Sequence, residues 1–421
     1  MNKKKIINDP VYGFVSIPSD LVFDLIQHPY FQRLRYIKQV SLTHLVYPGA
    51  LHTRFQHALG AMHLMCLALE TLKSKDITIS LEEEEAAIIA ILLHDIGHGP
   101  FSHSLEHTLV QGVSHEHISS LIMKEINDSF GGRLAMAIEI FKGSYPKRFL
   151  HQLVASQLDT DRMDYLNRDS FFTGVSEGVI SFDRIIKMLH VANNGLVVEQ
   201  KGIYSIEKFL IARRLMYWQV YLHKTVLSAE QLLIKILQRA KELANKGQHI
   251  FATAALAHFI YNEVTKADFL KDKEHLKWFT LLDDTDILAT IKMGVRHDDV
   301  VLSKLCDQFM SRKLYHVELS NEMPAEKRIE AVRECAIRRF GITAAEAHYF
   351  VFTLAVENSA YDLSEGNIHI LMKDGTIKDI TMASDLSNLE MLAKKVKKYM
   401  IAYPKELHEL LSVQDIDRQR N

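Results

Sequence analysis

Hydrophobic positions crowd into one short run. Ala86 to Leu93 reads AAIIAILL without a polar break and ends on His94-Asp95. Ser80-Leu81-Glu82-Glu83 precedes it as a capping box, and Glu82 to Glu85 place negative charge in the first turn. A helix that starts there, is apolar nearly all round and stops near Gly97 is a central buried helix. Its eight-residue apolar run is far short of the roughly 20 residues that cross a bilayer. From Asp20 to about Met310 the periodicity is mainly helical. One predicted hairpin interrupts it at Leu196-Val197-Val198, with Asn194-Gly195 before and Lys201-Gly202 after. Residues 1–20 read as irregular or short β structure around Pro10 and Pro18.

Near residue 311 the texture changes. Leu314 to Leu319 alternates like a strand, and Phe350 to Val356 reads as another. Ile368 to Met372 and Thr376 to Ile380 flank the turn Lys373-Asp374-Gly375. A helix is predicted from about Ser387 to Met400. The expected architecture is mainly α, with a helical core over 1–310 and a smaller C-terminal α+β lobe over 311–421.

Composition supports long helices. Of 421 residues only 18 are Gly and 8 Pro, a scarcity of breakers that argues against collagen-like, all-β or disordered architectures. Lys+Arg 50 against Asp+Glu 52 gives a net charge of −2. No global basic field exists to hold DNA, so a nucleic-acid partner would need a local patch. The basic start, MNKKKIINDP, lacks an apolar core of signal-peptide length. Cys66, Cys306 and Cys335 are widely spaced and form no CxxC, which fits a reducing cytoplasm and no Cys-type zinc site.

Histidine changes the picture. Six of the 22 fall between His94 and His117, where even spreading would place about 1.3. Such clustering points to metal or acid–base chemistry. An ionised Asp95 at the end of a buried helix is costly unless paired or metal-bound. Adjacent side chains point apart on a helix, so His94 and Asp95 can grip one ion only at a terminal turn, which Gly97 supplies. His57 and Asp161 are candidates to complete a set of two imidazoles and two carboxylates. A lone His-Asp pair is more often a buried histidine capped by a carboxylate. Asp161, Tyr165 and Asp169 are four apart and share one helix face, as do Arg213, Tyr217 and Tyr221. Arg54 lies three residues before His57 on the same face. Arg162, Asp164, Arg168 and Asp169 taken alone read as a solvated, ion-paired surface. His103-Ser-Leu-Glu106-His107 matches the HxxEH pattern of inverted zinc peptidases, but that reading leaves His57, His94, Asp95 and Asp161 unexplained.

Taken together, Arg54-Phe-Gln-His57, His94-Asp95-Ile-Gly-His98-Gly-Pro-Phe-Ser-His103, His115-Glu116 and Asp159-Thr-Asp161-Arg162-Met-Asp164-Tyr165 resemble the HD-domain dNTP triphosphohydrolases, vertebrate and bacterial members alike. The likeness starts at Lys5-Ile-Ile-Asn-Asp-Pro10, runs through Phe31 to Gln39 and Tyr47-Pro-Gly-Ala50, and is visible to about Lys224. No sterile-alpha-motif segment is expected ahead of it. The resemblance implies an HD-domain helical core and one divalent ion per subunit (iron, manganese, zinc, nickel or magnesium) on His57, His94, Asp95 and Asp161, with hydrogen-bonded partners behind the histidines. Arg54, on the His57 face, is a candidate to hold a phosphate oxygen near the ion; the resemblance assigns Arg162 and Arg213 to phosphate, and His98 and His103 to positions near the phosphates. Tyr165 falls on the phosphate or sugar side, Asp169 on the sugar 3′-OH, Tyr221 on stacking or sugar packing, and Gln39 on the sugar. His115 is the implied general acid, oriented by Glu106, where the family often has Asp.

The implied partners are a deoxynucleoside triphosphate and further copies of the chain, as a dimer or tetramer; a nucleotide effector is a further candidate. Lys5, Asn8, Arg35 and Lys201 match parts of an activator site, whereas Gln27 replaces an Asp and Glu199 replaces an Arg. Guanine-nucleotide activation is therefore expected to be absent or altered. Two alternatives remain at this point. One is another HD phosphohydrolase acting on monophosphates, cyclic nucleotides or alarmones, the last disfavoured because HDxxED is absent. The other is a nucleotide- or nucleic-acid-binding protein without turnover.

Overall fold

A computed structural model describes residues 5–102, 105, 108, 110, 112–358, 361, 366–385 and 395–411. The chain opens on an antiparallel hairpin, Ile6–Asp9 with Gly13–Ser16. Asp9 builds its turn, its Oδ1 accepting from the amides of Val11 and Tyr12 at 2.9 and 3.1 Å.

The Leu81–Leu93 helix sits at the centre as its sequence requires, with Ala86 to Leu93 buried without a break. It packs against the Arg54–Ser74 and Ala135–Phe141 helices, and Arg54–Ser74 packs on Thr160–Thr173. Ser80 Oγ accepts from the Glu83 amide, and Glu83 Oε2 accepts from the Ser80 amide at 2.8 Å. Glu83 also takes Lys147 Nζ at 2.7 Å and Tyr145 OH at 2.9 Å. Burial opposes its charge, but those donors outweigh it and hold the carboxyl below its usual range. A depressed pKa contributes stability that is present above the unfolded value, near 4.3, and is lost as pH falls through the folded one. Glu83→Ala is expected to cost about 1–3 kcal/mol at pH 7. Glu83→Gln should show a smaller loss of stability between pH 6 and about 3 than the parent in urea titrations.

Two glycines allow close packing. A Cβ at Gly60 would collide with Asp164 Oδ1 and Arg168 Nη2, and one at Gly97 with the backbone at His115 and Ser119. Gly60 lets the Arg54–Ser74 and Thr160–Thr173 helices touch. Gly97 lets the turn after His94-Asp95 lie against the His115–Ser129 helix.

Two further sheets follow. Leu189–Ala192, Gly195–Glu199, His369–Leu371 and Ile377–Asp379 pair in that order, with Val198 and Glu199 running parallel to Ile370 and Leu371. The hairpin predicted around Leu196 thus has its partner strand before it, across Asn193-Asn194. The predicted turn at Lys373-Asp374-Gly375 joins two antiparallel strands as expected. Val396–Tyr403 is the middle strand between His316–Ser320 and Phe352–Asn358. This corrects the predicted helix from Ser387 to Met400, of which 387–394 lie outside the described residues. Met400 to Tyr403 are buried, and Met400 to Ala402 are paired on both sides, a setting that overrides the helical tendency of the lysines before them. The Glu326–Phe340 helix had no sequence assignment. The fold is mainly α with a smaller α+β lobe. No helix among the described residues is long and apolar enough to cross a membrane.

Candidate active site

Three helices deliver the central groups. His57 comes from the first turn of Arg54–Ser74, His94 and Asp95 from the end of Leu81–Leu93, and Asp161 from the start of Thr160–Thr173. His57 Nε2 lies 3.0 Å from Asp161 Oδ1 and 3.6 Å from Asp95 Oδ2. His94 Nε2 lies 3.5 Å from Asp161 Oδ1 and 3.4 Å from Asp95 Oδ1. The far nitrogens are committed: His57 Nδ1 donates to Asp164 Oδ2 at 2.7 Å and His94 Nδ1 to the Ile91 carbonyl at 2.6 Å. Both Nε2 atoms are buried without a hydrogen-bond partner. Two imidazole lone pairs and two carboxylates therefore face one another, a donor set that suits a divalent cation. Burial disfavours charge on His57, yet Asp161 and Asp164 push it up to about 10. Burial likewise works against ionised Asp161 and Asp95, but the imidazoles, and Arg54 beside Asp95, hold both carboxyls well down. These shifts describe a site that draws positive charge to its centre.

Arg54 is ion-paired with Asp95, and its Nε donates to Ser102 Oγ at 2.8 Å. His98 Nε2 lies 3.2 Å from Asp95 Oδ1, and its ring stacks on His115 at 3.9 Å between centroids. Burial and the Arg54 charge push the His98 imidazole well down. Asp95, His98 and His115 thus form a second cluster that shares one carboxylate with the first.

A pocket of about 440 Å³ opens beside these groups, within the size range of small-molecule sites. Asp95, Asp161, Arg54, His98 and His115 border it together with Gln39, Arg162, Tyr165, Asp169 and Tyr221. The Asp161–Tyr165–Asp169 stripe inferred from spacing is thus one wall. Tyr221 OH donates to Asp169 Oδ2 at 2.6 Å, and His52 Nε2 lies 2.7 Å from Asp169 Oδ1. Arg162 Nε donates to the Ser156 carbonyl at 2.6 Å.

Arg213 is not brought to this wall. It is buried, and its Nη1 donates to Gln157 Oε1 at 2.7 Å. Tyr217–Tyr221 is a π-helical turn, so the stripe Arg213, Tyr217, Tyr221 does not continue at α-helical pitch. His103, Glu106 and His107 lie outside the described residues, so the expected Glu106–His115 pairing has no geometry to report. Glu199 accepts from Lys75 Nζ at 2.5 Å.

Several supporting residues carry little or no signal of their role in the sequence. Asp164, Arg168 and Asp169 are buried, not a solvated face. Arg168 donates to Asp164 through Nε and Nη2 at 2.9 and 3.0 Å, and through Nη1 to Asp9 Oδ2 at 2.8 Å. The i,i+4 spacing of Asp164 and Arg168 was the available signal. Asp284, from a distant helix, takes the amides of Lys38 and Phe101 at 3.0 and 2.7 Å. It fixes the segments carrying Gln39 and Ser102. Phe101 and Ser102 both have left-handed backbone, with φ of 52° and 51°, strain of the kind that gathers at functional sites. No local pattern marks Asp284 or His52.

Comparison with known proteins agrees with this geometry. The HD domain family model matches residues 54–169, and the HD associated region matches 180–255. A crystal structure of a phosphohydrolase from Bacteroides thetaiotaomicron VPI-5482 superposes with a TM-score of 0.93 at 54% identity, covering 95% of this chain and 100% of that one. An uncharacterized Bacillus subtilis (strain 168) protein, YwfO, is 31% identical over 97% of this chain and 94% of its own length. The Dictyostelium discoideum homolog of deoxynucleoside triphosphate triphosphohydrolase SAMHD1 is 33% identical over 56% of this chain and 50% of its own length.

Proposed function

The chain belongs to the HD-domain family of phosphohydrolases, and from that premise we propose that it is a metal-dependent dNTP triphosphohydrolase. The observation that carries the reading is the pair of partnerless, buried Nε2 atoms on His57 and His94, facing Asp95 and Asp161 at the edge of a nucleotide-sized pocket. In this reading those four side chains hold one divalent ion, which acts as a Lewis acid on the phosphoryl group and lowers the pKa of water.

The chain's own residues do the rest. Arg162 and His98 meet the phosphates, and Arg54 adds positive charge beside Asp95. Gln39 and Asp169 position the sugar, the latter held in place by His52 and Tyr221. Water attacks the α-phosphorus, and the bond from phosphorus to the 5′-oxygen breaks. His115 donates a proton to that leaving oxygen, a contribution of roughly 10²–10⁴-fold. The products are deoxynucleoside and inorganic triphosphate. The same reading carries a homo-oligomer. It gives Glu199, paired with Lys75, no role in binding an activating nucleotide.

The test incubates metal-loaded protein with each dNTP and NTP and identifies the phosphate product. Inorganic triphosphate from dNTPs, with ribonucleotides turned over far more slowly, is expected. Release of monophosphate or pyrophosphate instead would contradict the assignment.

A further inference from the structure

Besides the two clusters at the pocket, a third group of ion-ligating side chains gathers among the described residues. His316, Glu318 and His408 each offer a ligand atom within 4.8 Å of the others. None of the three lines the pocket.

Strand geometry explains the gathering. His316 and Glu318 are two apart on the His316–Ser320 strand and so share one face. Tyr403 pairs directly opposite His316 on the neighbouring strand. After Pro404 the chain enters a helical stretch over 405–411, which carries His408 back onto His316. The two rings stack at 3.8 Å between centroids, 11° from parallel. Tyr403 ties the group together: its OH donates to Glu318 Oε1 and lies 3.3 Å from His408 Nδ1. Arg328 Nη2 donates to the same Glu318 oxygen at 2.8 Å.

From this convergence we propose that His316, Glu318 and His408 form a second cation site, for zinc or a similarly borderline divalent ion, which clasps 405–411 to the C-terminal sheet. Two imidazoles and one carboxylate, with a fourth position left to water, are a zinc-type donor set. Magnesium and calcium prefer oxygen ligands throughout. Glu318 can take part although it is bonded, because a carboxylate has about four acceptor positions and both bonds above fall on Oε1. Those two donors orient it, as partners behind a ligand do. Burial, the His408 ring and the Lys224 and Arg328 charges push the His316 imidazole down, against Glu318, and a neutral imidazole is the form that ligates. On binding, the stacked rings fan apart until one ion lies in the plane of both, a rotation open to side chains that are only half-buried. The adjoining cations oppose the ion's charge, so this site is weaker than the four-ligand site and empties on dialysis.

The test titrates zinc into the dialysed full chain against a chromophoric chelator and compares it with His316→Ala, His408→Ala and Glu318→Gln. Circular dichroism establishes that each variant is folded, and His316→Gln serves if the alanine variant is not. The parent is expected to take up about one equivalent more than either histidine variant. Affinity for that equivalent should fall at least about 10–100-fold in the histidine variants and about tenfold in Glu318→Gln. Uptake is read as the difference between parent and variant, so the outcome stands whether or not the pocket holds an ion or the chain hydrolyses dNTPs. No zinc uptake by the dialysed parent, or uptake undiminished in the folded histidine variants, overturns the site.

Discussion

His94→Ala is expected to reduce dNTP turnover at least about 10³-fold, the upper range for losing one preorganised electrostatic group, while the fold survives. Among the described residues the His94 ring makes one hydrogen bond, Nδ1 to the Ile91 carbonyl within its own helix, and its Nε2 makes none. Removing the ring takes one neighbour from Asp161 and Asp95, but leaves the first beside His57 and the second paired with Arg54. The stability cost should stay within about 0.5–3 kcal/mol, measured by urea denaturation without added metal. Asp95→Ala makes the informative contrast. It too should abolish turnover, but it also leaves buried Arg54 without its carboxylate and His98 without its neighbour. Breaking a buried pair from one side costs about 3–5 kcal/mol, so Asp95→Ala should be visibly less stable than His94→Ala. Retained turnover in either folded variant would exclude these groups from the ion site.

Arg168→Met is the second large effect, and it falls on stability first. Arg168 is fully buried and forks between Asp164 on its own helix and Asp9 in the N-terminal hairpin. Without the guanidinium, Asp164 keeps only His57 and Asp9 only its turn amides, so two buried carboxylates lose their shared cation at a cost of about 3–5 kcal/mol. Arg168→Lys should recover only part of this, because an ammonium cannot bridge both carboxylates with a planar fork. Function follows through Asp164, which accepts from His57 Nδ1 and so fixes the tautomer that turns Nε2 toward Asp95 and Asp161. Losing that support should weaken metal affinity about 10–100-fold. Denaturant titration reads the first effect and competition with a metal chelator the second. A folded Arg168→Met protein with parental stability and parental affinity would contradict both.

The legible parts of the site were those written in local pattern. The capping box, the unbroken apolar run and Gly97 located His94-Asp95 at a helix end, because each feature acts within a few residues. The four-residue stripe from Asp161 to Asp169 became a pocket wall for the same reason. Arg213 lies off the pocket lining on Gln157, while Tyr217 and Tyr221 line it through a π-helical turn that no spacing rule anticipates. Asp164 and Arg168 could not be placed by spacing alone, because charged residues four apart look alike on a wet surface and in a core. What separates the cases is Gly60, on another helix, whose missing Cβ lets the pair close up. Asp284 was invisible, since it acts on Lys38 and Phe101 from far along the chain. In the C-terminal lobe, Val396–Tyr403 is a strand because neighbours bond it on both sides, information its own residues do not contain.

Metal content, determined by elemental analysis after exhaustive dialysis against buffer without chelator, tests the convergence of His57, His94, Asp95 and Asp161 most directly. About one divalent ion per chain should remain bound to the parent protein, and His94→Ala and Asp161→Ala, each confirmed folded, should retain almost none. A parent that holds no ion after reconstitution, or folded variants that keep the full complement, would show that these side chains meet for some other purpose.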